Sequence, residues 1–271
     1  MTYFGFLLRF LVLPIFILLG IILWNKRQGR ERASSLRSVP AWVAIVLHML
    51  IALVYTTPWD NYLVATGVWW YDPALVTGIV FGWVPIEEYT FFLLQPILVG
   101  LWLVLLSQLM EFKPESPRSS LRLWATIVGG ILWLVSVAIL LAGKQASTYM
   151  ALLLVWALPP LMLQLAFGAD ILWRYRRIVF LSIVPLTLYL ITADALAISF
   201  GTWTIDPAQS FNIFIAGTLP IEEFAFFLMT NILLTSGMVL LWAEESHVRL
   251  AAIRRWWVDR TSKTERAIPE G

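Results

Sequence analysis

The sequence has 271 residues, of which 60% are hydrophobic and 13% charged, with no cysteine, two histidines and a net charge of +2. A soluble domain carries about 25% charged and 45–50% apolar residues, so a water-soluble globule and a disordered chain are both excluded. Without cysteine there is no disulfide, thiolate or iron–sulfur chemistry, and two histidines cannot build a three-His metal site. We therefore expect a membrane protein without a metal centre.

Seven stretches of the chain are long and apolar enough to span a membrane, which takes about 20 residues. Pro85 and Pro220 are expected to break or kink the helices in which they lie. The chain is therefore predicted to be an all-α integral membrane protein with about seven transmembrane helices. The predicted spans cover approximately residues 3–24, 40–57, 84–109, 121–142, 148–168, 178–199 and 211–242.

The basic residues are distributed unevenly between the predicted loops. Of the 19 lysines and arginines, 17 follow spans 1, 3, 5 and 7, whereas Lys144 lies on the opposite side and Arg9 near the start of span 1. Cytoplasmic loops carry such an excess of Lys and Arg. We expect a protein of the cell membrane with its N-terminus outside and its C-terminus in the cytoplasm. The positive charge is expected to contact membrane lipid headgroups, and no nucleic-acid partner is expected.

The chain contains an internal repeat. The pattern D-x6-G-x-W-x-x-D-P from Asp60 recurs 134 residues later from Asp194, and the string PIEE-x-x-FFL from Pro85 recurs from Pro220. Spans 1–3 and 5–7 are predicted to form three-helix repeats. Since span 4 alone links them, the repeats are parallel and their acidic segments share the outer half of the bilayer. The predicted division is 1–110 for the first repeat, 111–145 for the linker, 146–245 for the second repeat and 246–271 for a charged cytoplasmic tail.

Carboxylates occupy equivalent positions in the two repeats. A charged residue in a span costs about 2.5–3.5 kcal/mol on insertion scales. Unpaired carboxylates in a low-dielectric site take up protons, and two that lie close together separate into one acid and one base. Such a site can donate a proton and take one back without a cofactor. The carboxylates are Asp60, Asp72, Glu87 and Glu88 in the first repeat and Asp194, Asp206, Glu222 and Glu223 in the second.

Only one glutamate of each adjacent pair is expected to face a central cavity, because neighbouring helical residues point about 100° apart. We expect Glu87 and Glu222 to face inward, since each follows its proline by two residues in an exposed first turn. A purely structural hydrogen-bonding role for these glutamates is the alternative. Asp72 and Asp206 fit equally well as turn or helix-start residues.

Aromatic residues accompany both sets of carboxylates. An aromatic face attracts a cation by about 2 kcal/mol or more when the cation is desolvated. An acid, a weak base and aromatic walls suit electrophilic chemistry on an alkene. Trp70 and Tyr71 have no aromatic counterparts in the second repeat and are interpreted mainly as membrane-interface anchors. The candidate substrate-binding residues are Trp69, Phe91 and Phe92 with their counterparts Trp203, Phe226 and Phe227.

The twin PIEE strings, the three-helix repeats and the two D-x6-G-x-W-x-x-D-P stretches resemble the lycopene cyclase domain family of membrane-embedded carotenoid cyclases. The resemblance covers residues 1–245, and the chain looks like the form in which two small subunits are fused. It implies lycopene β-cyclisation to γ- and β-carotene. In that reaction an acid protonates C2 of an acyclic end, the C5–C6 double bond attacks the resulting C1 cation, and C6 loses a proton.

The resemblance also implies residue roles and partners. It assigns acid–base work to Glu87, Glu88, Glu222 and Glu223, with Asp60 and Asp194 as partners that tune them. Lycopene or a related carotenoid is the implied substrate, and homo-oligomerisation is left open. The soluble cyclases bind flavin through a glycine motif, but no G-x-G-x-x-G occurs here, so no cofactor is expected.

Three alternatives stay open at this point. Within the same family, the substrate could instead be a C50 carotenoid, or only one end could be cyclised. A proton-coupled transporter would use intramembrane carboxylates as a relay, and it predicts a polar path through both leaflets. An interaction subunit without chemistry is the third.

Overall fold

The computed structural model describes residues 1–112 and 120–266, with residues 257 and 259–266 by their backbone only. Lys113 and Arg118 of the predicted linker, and residues 267–271 of the predicted tail, lie outside the described residues. In the described part, seven helices are long and apolar enough to cross a membrane. The prediction of an all-α membrane fold with about seven spans is confirmed, with short strands added in two loops.

The spans are named α1 to α7 in chain order, and an eighth helix, α8, follows them. One turn of α1, Leu8–Val12, is π-helical and directly precedes Pro14, which cannot donate a helical hydrogen bond. The helices are Tyr3–Arg27, Ala41–Ala65, Ile86–Leu109, Ser120–Leu141, Thr148–Arg174, Arg176–Ser199, Ile221–Trp242 and Glu244–Arg266.

Two predicted helix boundaries are wrong. Span 2 was predicted to end at residue 57, but α2 continues through Pro58 to Ala65, so Asp60 lies on a helix. Membrane helices tolerate such a proline because neighbouring groups satisfy the freed carbonyl. Span 7 was predicted from residue 211, but α7 begins only at Ile221, after Pro220 as its N-cap. The residues before Pro220 form a hairpin that cannot belong to a helix.

Short strands in the loops after α2 and α6 hold the two repeats together. They are β1 Trp69–Tyr71, β2 Val80–Phe81, β3 Val84–Pro85, β4 Trp203–Ile205, β5 Phe214–Ile215 and β6 Leu219–Pro220. β2 pairs with β3, and β5 with β6, as hairpins within each repeat. β1 and β4 pair antiparallel across the repeats, with Trp70 opposite Thr204. Because equivalent strands pair around this central position, the sheet lies on the pseudo-two-fold axis that relates the repeats.

The chain reaches β1 and β4 through equivalent glycines. Gly67 and Gly201 follow α2 and α6 with φ of +71° and +69°, in the left-handed region that other residues rarely adopt. This conformation ends each helix and turns the chain back over the bundle. The repeated glycine of the sequence pattern therefore positions the repeated tryptophan two residues later.

The two PIEE helices, α3 and α7, form the centre of the bundle. They are the most buried of the seven spans, whereas α4 is the least buried. Phe91 and Phe227 meet edge-to-face with ring centroids 6.1 Å apart, and Gln95 donates to Thr230 Oγ1 at 3.0 Å. α2 packs closely on α7 at Gly237, where a β-carbon would collide with the buried His48 ring. These contacts bring the acidic starts of α3 and α7 together.

We expect Gly237→Ala to destabilise the protein by about 1–3 kcal/mol, because the His48 ring cannot move without losing its contact with the Ala44 carbonyl, 2.8 Å away. Gly20→Ala is the matched control, since a β-carbon there meets nothing within 4 Å. Thermal unfolding of the detergent-solubilised variants measures the difference. Equal transition temperatures for the two variants would contradict the close packing of α2 on α7.

Candidate active site

A chamber lies beneath the β1–β4 sheet, where α3 and α7 begin. All six predicted aromatic residues line it, and so do four of the predicted carboxylates. The aromatic residues are Trp69, Phe91, Phe92, Trp203, Phe226 and Phe227, and the carboxylates are Asp60, Glu88, Asp194 and Glu223. The expectation that the two repeats contribute equivalent acids to one hollow is met for these four side chains.

Glu88 is held by two phenols. Tyr3, at the start of α1, donates to Glu88 Oε2 at 2.5 Å, and Tyr71 on β1 donates to the same oxygen at 2.9 Å. The Tyr3 ring also lies 4.9 Å from the Trp203 ring of the other repeat. One helix and one strand of its own repeat therefore orient the Glu88 carboxylate. The Tyr3 ring, which donates one of these hydrogen bonds, packs on the second repeat.

Glu223 has an equivalent but simpler environment. Tyr149, at the start of α5, donates to Glu223 Oε1 at 2.7 Å, and its ring lies 5.2 Å from that of Trp69. Tyr3 and Tyr149 thus begin the first helix of each repeat, hold the glutamate of their own repeat and pack on the tryptophan of the other. This reciprocal arrangement follows the pseudo-two-fold axis.

One departure from the repeat symmetry of the sheet affects the lining of the chamber. Tyr71 in β1 is replaced by Ile205 in β4, although both follow the repeated tryptophan by two residues. In the second repeat, Trp203 Nε1 donates to Asp194 Oδ1 at 3.0 Å. In the first, Trp69 Nε1 donates to the Tyr71 hydroxyl at 3.2 Å instead.

Asp60 consequently differs from Asp194. Neither carboxylate oxygen of Asp60 has a hydrogen-bond partner among the described residues, although the side chain is only 1% exposed. Within that part of the chain, no Lys, Arg or His lines the chamber. Asp60, Glu88, Asp194 and Glu223 line this one chamber together. The four carboxylates therefore form one electrostatic cluster without a compensating cation, in which protons are the available counter-charge.

The prediction that Glu87 and Glu222 face the cavity is wrong. Glu87 Oε1 accepts the Thr77 N–H and Glu222 Oε1 accepts the Phe211 N–H, both at 2.7 Å, and neither side chain lines the chamber. Both are buried at a helix N-terminus, where a carboxylate is favoured by the helix dipole. One residue further on, the helix rotation turns Glu88 and Glu223 toward the axis instead.

Of the remaining sequence candidates, some have the structural role that was predicted for them and one does not. Asp72 and Asp206 accept the N–H of Ala74 and Ala208, two residues on, at 2.9 and 3.0 Å, as in turn or helix-start positions. Trp70 is 46% exposed, in agreement with an anchoring role. Tyr71, interpreted as an anchor as well, instead lines the chamber and donates to Glu88.

Four lining residues were missed by the sequence analysis: Tyr3, Phe6, Trp59 and Tyr149. Tyr3 and Tyr149 carried a signal, because each begins the first span of its repeat. In each repeat this signal is a single tyrosine outside the matched strings. Its role becomes visible only in the structure, where the two phenols lie beside the glutamates. Trp59 has Ala193 at the equivalent position, so the repeat gave no signal for it.

The fold and the site define a polytopic membrane protein with a buried acidic and aromatic chamber built from two parallel repeats. A model of the family described as lycopene cyclase matches the chain twice, over residues 9–106 and 146–243, and the chain belongs to this family. No solved structure matches the chain.

Curated relatives support the same family. A lycopene beta-cyclase of Halobacterium salinarum is 39% identical over 84% of this chain and 90% of its own length. A bifunctional lycopene cyclase/phytoene synthase of Sporisorium reilianum is 35% identical over 71% of this chain and 29% of its own length. The protein of the same description from Gibberella fujikuroi is 32% identical over 72% of this chain and 34% of its own.

The Tyr71 phenol is expected to remain protonated in alkaline solution. Burial raises the pKa of Tyr71 well above its usual value, and the charge of Glu88 raises it further. The neutral phenol therefore persists above about pH 10, the ordinary pKa of tyrosine. Ultraviolet difference titration of the wild type against Tyr71→Phe isolates this one ionisation. A phenolate component that appears at the ordinary pKa would contradict the buried donor position.

Proposed function

We propose that the protein is a lycopene β-cyclase that closes the acyclic ends of lycopene by acid–base chemistry. The observation that carries this proposal is the chamber itself, in which two equivalent pairs of carboxylates face aromatic rings without a cation. Membership of the lycopene cyclase family supports the substrate class. The reaction is an isomerisation, since the proton added at C2 is balanced by the proton lost from C6.

The four carboxylates of the chamber divide into donors and acceptors in this proposal. Asp60 has neither a hydrogen-bond donor nor a cation beside it among the described residues, so it is suited to carry the proton that is delivered to C2. Glu88 accepts two phenolic hydrogen bonds, which stabilise a carboxylate, so it is suited to receive the proton from C6. The roles of Asp194 and Glu223 are equivalent but less separated, because each has one donor.

The aromatic rings stabilise the cation between the two proton transfers. Positive charge forms at C1 and moves to C5 as the ring closes. Trp59 and Phe226 lie parallel with centroids 6.1 Å apart, and Phe226 meets Phe227 at 5.2 Å. Ring faces attract such a charge and offer no nucleophile. The apolar part of the lining excludes water, which would otherwise add to the cation and give an alcohol.

Glu87 and Glu222 support the site in this proposal. By accepting the backbone N–H groups of Thr77 and Phe211, they hold the loops that carry the hairpins against α3 and α7. They thereby fix the helix starts from which Glu88 and Glu223 project.

We further propose that the chamber lies in the outer half of the cell membrane, with the N-terminus outside and the C-terminus cytoplasmic. The support is the distribution of basic residues, of which 17 of 19 follow spans 1, 3, 5 and 7. Lycopene, as a hydrocarbon, would reach this depth from within the bilayer.

Glu88→Gln and Glu223→Gln are expected to lower cyclisation at least about 100-fold, as for removal of a general acid or base. Glu87→Gln and Glu222→Gln are the matched controls, because glutamine keeps an oxygen that accepts the same backbone N–H. Cells that accumulate lycopene would express each variant, and the extracted pigments would be separated. Full activity of Glu88→Gln together with loss of activity in Glu87→Gln would reverse the assignment.

The broken symmetry predicts unequal aspartates. Asp60→Asn should reduce cyclisation by about 10²–10⁴-fold, as expected for loss of a general acid, and more strongly than Asp194→Asn. The same pigment assay, normalised to the amount of inserted protein, compares the two. A greater loss in Asp194→Asn would show that the proposed donor is on the wrong side of the axis.

A further inference from the structure

A second cavity adjoins the acidic chamber. It lies between α2, α3, α5 and α7, and it shares Phe92 and Phe226 with the chamber. Its lining is mostly apolar and includes Ala52, Thr56, Trp156, Pro160 and Leu233. The Phe92 and Phe226 residues therefore border both spaces.

The second cavity also borders the lipid-facing surface of the bundle. A groove on the outer side of α2 is lined by Leu50, Val54 and Pro58. It shares Ile51, Tyr55 and Trp156 with the second cavity and Trp59 with the chamber. The groove, the second cavity and the chamber therefore lie next to one another along α2 and share the side chains at their boundaries.

Stacked aromatic rings line the passage between groove and chamber. Tyr55 and Trp59 of α2 both stack on Trp156 of α5, with ring centroids 5.7 and 4.5 Å from that of Trp156. The Tyr55 hydroxyl donates to the Trp156 carbonyl at 2.8 Å. From Trp59 to His48, the cavity side of α2 extends about 16 Å at 1.5 Å per residue. This length suits an extended chain rather than a compact ligand.

The cavity is one-sided although the bundle is pseudo-symmetric. The repeat relates Ala52 and Thr56 on α2 to Leu186 and Leu190 on α6. Both leucines are buried, with 6% and 0% exposure. The larger side chains of the second repeat thus fill the positions that border open space in the first repeat. The sequence itself supplies the substitutions that would close the cavity.

We infer that this cavity and groove form a single lateral channel that holds the polyene chain of the substrate while one end lies in the chamber. The inference rests on the proposed function for the identity of its occupant, a long conjugated hydrocarbon that carries only methyl branches. The chamber and the cavity measure about 50 and 110 Å³. Each is smaller than the roughly 300–1,000 Å³ of an ordinary ligand pocket, so the polyene occupies both and displaces the Phe92 and Phe226 rings. One channel also means that the two ends of a carotenoid are cyclised one after the other, with reversal between the two events.

The first experiment closes the channel without touching the carboxylates. Ala52→Leu with Thr56→Leu would be introduced into the inactive Glu88→Gln/Glu223→Gln protein, expressed in lycopene-accumulating cells and purified. The co-purified pigment per protein should fall about tenfold, because leucines fill the space as they do in α6. Thr192→Leu, on the exposed face of α6, is the matched control and should retain the pigment. Ala52→Leu alone is the milder variant should the double variant fold poorly.

The second experiment tests the side of entry. The chain has no cysteine, so a single introduced cysteine is labelled uniquely. Val54 and its repeat counterpart Leu188 are both exposed, at 72% and 54%. A bulky maleimide on Val54→Cys in membranes should block cyclisation of lycopene added in vesicles, whereas the same label on Leu188→Cys should leave it unchanged.

The outcomes separate the channel from the proposed function. Full pigment retention in the leucine variants, absence of bound pigment in the inactive parent, or equal effects of the two labels would overturn the channel, even if the wild type cyclises lycopene. Conversely, a wild type that produces no cyclic carotenoid but loses bound polyene when the leucines are added would uphold the channel and contradict the cyclase.

Discussion

The structure depends on the burial of four carboxylates in a chamber with no basic residue in its described lining. Such a cluster cannot carry four negative charges in a low-dielectric environment, so it must share protons and hydrogen-bond donors. The donors are phenols and one indole from the starts of α1 and α5 and from β1 and β4, above all Tyr3 and Tyr149. Because phenols stay neutral, they orient the glutamates without cancelling the acidity on which proton transfer to an alkene relies.

Duplication explains the architecture, and departures from it explain how one site can serve an asymmetric reaction. Each repeat supplies an acid pair, a tryptophan and a phenol, and the β1–β4 pairing joins them on one axis. Tyr71 against Ile205 makes the two acid pairs unequal, and Ala52 against Leu186 leaves space on one side only. A carotenoid has two similar ends, but at each turnover one end reacts while the rest of the chain must lie elsewhere. The symmetric repeats provide equivalent acids for both ends, and the differences between the repeats leave room for the rest of the chain on one side.

The adjacent glutamates show how one motif serves two purposes. Glu87 accepts a backbone N–H from the loop, and Glu88, about 100° further around the helix, projects into the chamber. The first acid thereby secures the loop that places Tyr71, and Tyr71 in turn orients the second acid. The adjacent glutamates thus couple loop structure to site geometry.

The sequence by itself determined the seven spans, the parallel repeats, and those aromatic and acidic residues of the chamber that recur in both repeats, because these follow from local hydropathy and from matching strings. Which glutamate faces inward depends on the rotation of α3 and α7 against their neighbours, and the sequence-based choice of Glu87 and Glu222 was wrong. The roles of Tyr3 and Tyr149 were also beyond reach, since their partners lie 85 and 74 residues away in the chain. Only tertiary packing decides such directions and leaves a cavity beside Ala52, because both depend on how distant helices fill the space between them.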